Sequence, residues 1–174
     1  MKNFEGTPKM LIAENMKKFL LNKGFVSVGT SDLSGQPNAV PKNIVEIDNG
    51  FIYLADYVIG QTFKNLKINP KVSLSTIDTK TLEGLQINGV AKIITKGPLS
   101  KKLLKAMVGQ EVHHTARRII EDVQGTQKSD AYEVQFPERV VMLKVKCKKI
   151  TKISSAGNLK IERITSEQAL VRIK

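Results

Sequence analysis

The chain has 174 residues, 41% of them hydrophobic and 25% charged, which is ordinary for one soluble globular domain, 1–174, large enough to bury a core. No apolar run approaches the roughly 18 residues of a membrane span and no signal-peptide core opens the chain, so a cytoplasmic protein that does not enter the membrane is expected. Lysine and arginine total 28 against 16 acidic residues, a net charge of +12, yet the lysines are scattered through every segment and tryptophan is absent. A generally basic surface that attracts an anionic ligand is therefore expected rather than a nucleic-acid partner.

In chain order, Thr7-Pro8 has the form of a helix start, a hydroxyl at the N-cap and proline at the first helical position. Ile12, Met16, Phe19 and Leu20 form the apolar stripe of that helix, and Gly24 stops it. Phe25–Thr30 alternates as a strand, turns through Asp32–Pro37, and returns along Asn38–Asp48. Asp48-Asn49-Gly50 is a tight-turn signal, with Phe51–Ala55 pairing back. The next helix, Gln61–Ile68, is short and stops at Asn69-Pro70, before strands at Val72–Ile77 and Leu85–Thr95. In the second of these strands Leu85, Ile87, Gly89, Ala91 and Ile93 are expected on one face. Gly97-Pro98 breaks the sheet, and Leu99–Val123 reads as a helix in two pieces around Gly109. Arg139–Ile150 is the last long strand, with Val141, Leu143, Val145 and Cys147 alternating against Lys144, Lys146 and Lys148. From Asn158 the tail carries a strand-like LKIERI with no further assignment. The fold class is mainly β (α+β), a small closed antiparallel barrel of about six strands with flanking helices, since closure removes exposed edges.

The segment Gln61–Asn65 gathers Gln61, Thr62, Lys64 and Asn65 in about one helical turn directly after a strand. Amide, hydroxyl and ammonium donors beside the positive end of a helix suit a phosphate. The alternative is a solvated connector that merely caps a helix. The adjacent pair His113-His114, followed by Arg117 and Arg118, admits a haem ligand or anion clamp, but a solvated helix face is the plainer reading. One cysteine, Cys147, excludes an internal disulfide and falls on the inward register of its strand, as a core residue rather than a nucleophile. No metal site is expected from so few ligands, and no catalytic constellation stands out.

GFVSVGTSDLSGQPNAVPKN, NGFIYLAD, QTFKNLKINPKVSLS and INGVAKI, in that order, resemble the pyridoxamine 5′-phosphate oxidase-like family of FMN-binding split β-barrels. The resemblance covers roughly 23–95, with a weaker match in VVMLKVKCKKIT. It implies a homodimeric split barrel with FMN in a groove between subunits and a small-molecule electron donor or acceptor. Carried over position by position, Thr62, Lys64 and Asn65 match the phosphate-binding stretch, with Gln61 where many members have a basic residue. Ala55 matches a small residue near the cofactor, Lys42 and Asn43 lie on the strand whose edge approaches the flavin ring, and Gln86 falls on the strand that completes the pocket. The chain departs from true pyridoxamine phosphate oxidases at Val40, where they carry arginine, and at Gly60-Gln61-Thr62, where they carry serine-arginine-lysine. It also lacks their tryptophan-containing substrate segment. The resemblance therefore implies FMN binding without vitamin B6 oxidase activity.

Overall fold

The structure is a computed structural model that describes residues 12–57, 59–123 and 140–163. Its elements are α1 (Glu14–Lys23), β1 (Phe25–Ser31), β2 (Pro37–Asp48), β3 (Phe51–Asp56), α2 (Gln61–Ile68), β4 (Lys71–Ile77), β5 (Gly84–Ile94), α3 (Pro98–Val123), β6 (Val141–Ile153) and β7 (Leu159–Arg163). The antiparallel sheet runs β3-β2-β1-β4-β5-β6-β7 and closes by pairing β3 with β6. The expected six-strand barrel is thus present, and Leu159–Arg163 of the tail supplies a seventh strand outside it, paired with the end of β6.

Alternation places Val26 and Val28 of β1, Ile52 and Leu54 of β3, Leu74 of β4, Ile87 of β5, and Leu143 and Val145 of β6 in the barrel interior. β3 is buried on its other face as well. There Tyr53 and Ala55 meet Leu103 and Met107 of α3, together with Val45 and Met142. A bulge in β2 between Ile44 and Glu46 makes this possible: Ile44 and Ile47 face inward, while the intervening Val45 joins the layer under α3. At the β2–β3 turn Asn49 (φ 49) and Gly50 (φ 78) are both left-handed, the pair that a two-residue hairpin needs.

The helices close the barrel's ends. α1 sends Met16 and Leu20, with Ile12 just before it, into the interior at the end where β1 begins. It stops at Gly24, whose left-handed backbone (φ 71) lets its N–H donate to the Leu20 carbonyl. α2 packs against β1, β2 and β5 at the other end, inserting Leu66.

Several expectations change. Thr7 and Pro8 lie outside the described residues, and Ile12 precedes α1 rather than belonging to it. α3 is one continuous helix through Gly109, where an added Cβ would meet nothing within 4 Å; a solvent-facing glycine costs only about 1 kcal/mol and does not break a helix held elsewhere by packing. β6 continues to Ile153 because β5 and β7 pair with its last residues on either side. Ile93 is only partly buried, while Gly89 keeps its place in the alternation of β5, opposite a bulge that lies in β6. In β6 Met142 is buried beside Val141 and Leu143, since α3 covers the face opposite the barrel interior.

Candidate functional site

α2 starts where β3 has left the sheet. Its N-cap is Gly60, which has no side chain to bond the first amides, so the positive end of the helix is not neutralised from its own cap. Thr62 and Asn65 turn inward and are 2% and 1% exposed. The Asn38 amide donates to Thr62 Oγ1 at 3.0 Å and to Thr30 Oγ1 at 3.2 Å. Asn65 Nδ2 donates to the same Thr30 oxygen at 3.2 Å, and Gln61 Nε2 donates to Asn65 Oδ1 at 2.7 Å. This polar plug fixes the orientation of α2 over the barrel mouth and leaves Gln61 and Lys64 exposed. Thr30 and Asn38 were not among the residues the sequence marked; pairing of the end of β1 with the start of β2 is what brings them under α2.

The remaining marked residues fall into separate places. Lys42 and Asn43 are strand neighbours and so face opposite sides of the sheet. Lys42 points into the barrel, 6% exposed, and forms an ion pair with Asp56, which is 1% exposed. Asp56 was also missed, although a carboxylate ending the buried run FIYLAD requires a cation or donor nearby. Asn43 faces outward, where its Nδ2 donates to the Tyr57 hydroxyl at 3.0 Å. Ala55, the cross-strand partner of Asn43, has no exposed surface and lies in the layer beneath α3. Gln86 is exposed on the outer face of β5, its amide directed to Ser73 Oγ at 3.4 Å. It stands three strands from Asn43, so the fold does not bring these two together within one chain.

Cys147 is 1% exposed in the barrel interior, and burial pushes its thiol up to about 12. His113, His114, Arg117 and Arg118 fall on the later part of α3, and their side chains lie outside the described ones. At the α1 end a cavity of about 160 Å³ is lined by residues that include Asn15, Phe19, Glu83 and Lys152; none of the marked residues borders it.

A family model described as pyridoxamine 5′-phosphate oxidase matches residues 12–144. The chain belongs to this family. Among solved structures it is similar to HupZ of Group A Streptococcus, with TM-score 0.62 and 23% identity over 85% of this chain and 98% of that one. A pyridoxamine 5′-phosphate oxidase-related, FMN-binding protein of Nostoc punctiforme matches with TM-score 0.55 and 12% identity over 90% of this chain and 100% of that one. HutZ, the haem storage protein of Vibrio cholerae, matches with TM-score 0.56 and 18% identity over 86% of this chain and 100% of that one. At these identities the likeness establishes the split-barrel fold shared by family members. No helix among the described residues is long and apolar enough to cross a membrane.

Proposed function

We propose that the chain is an FMN-binding oxidoreductase of the cytoplasm, working as a homodimer with a small-molecule electron donor or acceptor. The observation that carries the reading is the start of α2. An uncapped helix N-terminus, an exposed Lys64 and an exposed Gln61 stand on a helix whose pose is fixed by Thr62 and Asn65. A phosphate dianion fits that donor set, because the first-turn amides and the ammonium both favour negative charge. Gln61 and Lys64 would hold the phosphate, with Thr62 and Asn65 fixing the turn that presents them. Asn43 and Gln86, both on the outer surface, are candidates for the ring edge. Lys42, paired inside the barrel, would support the strand that presents Asn43, and Ala55 would do the same from beneath α3. Bound FMN supplies hydride and single-electron chemistry; the protein's part is to bind and orient it.

The homodimer rests on the outer face of the sheet. Leu159, Ile153, Gly84 and Ile77 are successive cross-strand partners. Phe25 continues their row, since Ser27 pairs with Ser75 two residues away, and Phe25 in turn pairs with Asn43. Phe25, Ile77, Ile153 and Leu159 are all exposed. An apolar row that ends at Asn43 and runs beside Gln86 is suited to burial against a second copy, which would give an otherwise open surface its second wall. Oxidation of vitamin B6 phosphates is not part of the proposal, because that substrate needs a second anion site and Val40 is apolar where the oxidases carry arginine.

The test is the visible spectrum of the purified protein with and without added FMN, alongside light scattering. A bound flavin spectrum and a mass near twice 19.3 kDa are expected. Replacing Ile77 by Asp should give a monomer that loses FMN. A colourless protein that takes up no FMN overturns the reading. Bound FMN that is never reduced by any donor, nicotinamide included, would make the protein a carrier or sensor.

A further inference from the structure

The scatter of lysines along the sequence does not survive folding. On the outer face of β4, β5 and β6, away from the apolar row, Lys71, Val90 and Lys146 are cross-strand partners, and Lys92 pairs with Lys144 in the next row. Lys149 pairs with Asn88, which pairs with Ser73. Between these rows β6 carries a bulge, with Lys148 as its extra residue. A Cβ on Gly89 would come within 2.4 Å of the Lys146 carbonyl oxygen, so the close approach of the two strands there requires glycine. The bulge also sets the charge. In a regular strand Lys149 would turn to the face of Cys147, and the extra residue returns it to the outer face.

Six lysines therefore share one surface, and none of them is ion-paired among the described residues. Lys144 lies over the Phe51 ring at 4.0 Å and the Tyr53 ring at 5.8 Å, which holds its ammonium at the surface. The nearest carboxylates in register, Glu46 and Asp48, lie beyond these rings on β2, and Glu46 already accepts from Lys102 at 2.7 Å. With strands about 4.8 Å apart and rows about 6.7 Å apart, the basic field measures roughly 10 by 15 Å. That is wider than one small-molecule phosphate needs.

We propose that this face binds the phosphate backbone of a nucleic-acid duplex without reading its sequence. The repeat of the lysine rows is close to the repeat of phosphates along a strand. Ammonium groups are point charges without the planar fork that reads base edges, so they position rather than specify. A single strand would require exposed aromatic rings for stacking, and none stands in these rows, because Phe51 is half-buried under Lys144. Insertion into a lipid surface, beyond attraction to its charge, would require exposed large apolar side chains among the lysines, and the only apolar residue in these rows, among the described residues, is the half-buried Val90.

The experiment is a fluorescence-anisotropy titration of the full chain with a labelled 20-base-pair DNA duplex of mixed sequence, from about 50 to 200 mM salt. Binding is expected to be independent of sequence, with log K falling by about 0.9 per tenfold change in salt for each phosphate contacted. Replacing both Lys92 and Lys146 by Glu should weaken binding at least about 10-fold and flatten the slope by about two contacts. Lys18 and Lys80, exposed elsewhere, supply the control: the Lys18→Glu/Lys80→Glu protein has the same net charge and should bind within about 2-fold of the parent. Circular dichroism melting confirms that both variants fold. Equal loss in the two variants would show attraction to net charge alone and overturn the proposal, as would no binding at the lowest salt. Displacement of the duplex by polyglutamate or by phosphatidylserine vesicles at equal charge concentration would also overturn it, in favour of an acidic protein or a membrane.

Discussion

The two ends of the barrel are closed by helices of similar length in opposite ways. α1 plugs its end with Met16 and Leu20, helped by Ile12, all within the apolar core. α2 plugs the other end with a single apolar side chain, Leu66, and with the hydrogen-bonded group Thr62, Asn65, Thr30 and Asn38. Neither helix has a side-chain cap at its start. An apolar plug contributes stability in proportion to area and tolerates small shifts, whereas a polar plug contributes less but fixes orientation, because each buried donor must meet its acceptor. The difference assigns stability to the α1 end and ligand positioning to the α2 end.

The strongest effect is expected at the ion pair of Lys42 with Asp56, where β2 meets the strand that leads to α2. Lys42→Ala strips the buried Asp56 of its cation and should cost about 3–5 kcal/mol in urea unfolding. Replacing the pair together, Lys42→Met with Asp56→Leu, should recover most of that loss; failure to recover would mean that the pair is a specific requirement of the fold. At the α1 end, Leu20→Ala should cost about 3 kcal/mol while leaving FMN affinity unchanged in the folded protein. Asn65→Ala reverses that pattern. It should cost only about 1–3 kcal/mol yet weaken FMN, since α2 loses its tie to Thr30.

The smallest effect is a pH dependence at the α1 end. Lys23, the last residue of α1, donates to Asp78 at 2.6 Å, and this bond, with those from the Lys80 and Thr81 amides, lowers the Asp78 carboxyl from 3.8 to about 2. A carboxyl depressed on folding stabilises the fold above its unfolded value, so this contribution is present above about pH 4 and is lost as the pH falls toward 2. Thermal melting across that range should show Asp78→Asn less pH-sensitive than the parent, and parallel curves would remove the interaction from the account.

Much of the fold was legible because it follows local rules. The Asn49-Gly50 turn, the alternation of β1 and the bounds of α2 all come from residue type and period. What was not legible depends on pairing between distant segments. Nothing local says that Lys42 faces Asp56, that the first turn of α2 meets Thr30 and Asn38, or that a bulge at Lys148, opposite Gly89, turns Lys149 outward. The donor cluster at Gln61–Asn65 was legible as a cluster, but its division was not. A helix that plugs a barrel must turn part of every short segment inward, and here Thr62 and Asn65 go in while Gln61 and Lys64 stay out.

That division is the central claim, and competing titrations of FMN and riboflavin against the parent and Lys64→Ala proteins test it most directly. The two ligands share a ring and differ by the phosphate. FMN should bind the parent at least about 10-fold more tightly than riboflavin, and Lys64→Ala should remove most of that advantage by weakening FMN about 10- to 100-fold, with riboflavin unchanged. Equal affinity of the parent for FMN and riboflavin, or an FMN affinity that does not respond to Lys64, would contradict a phosphate site at the start of α2.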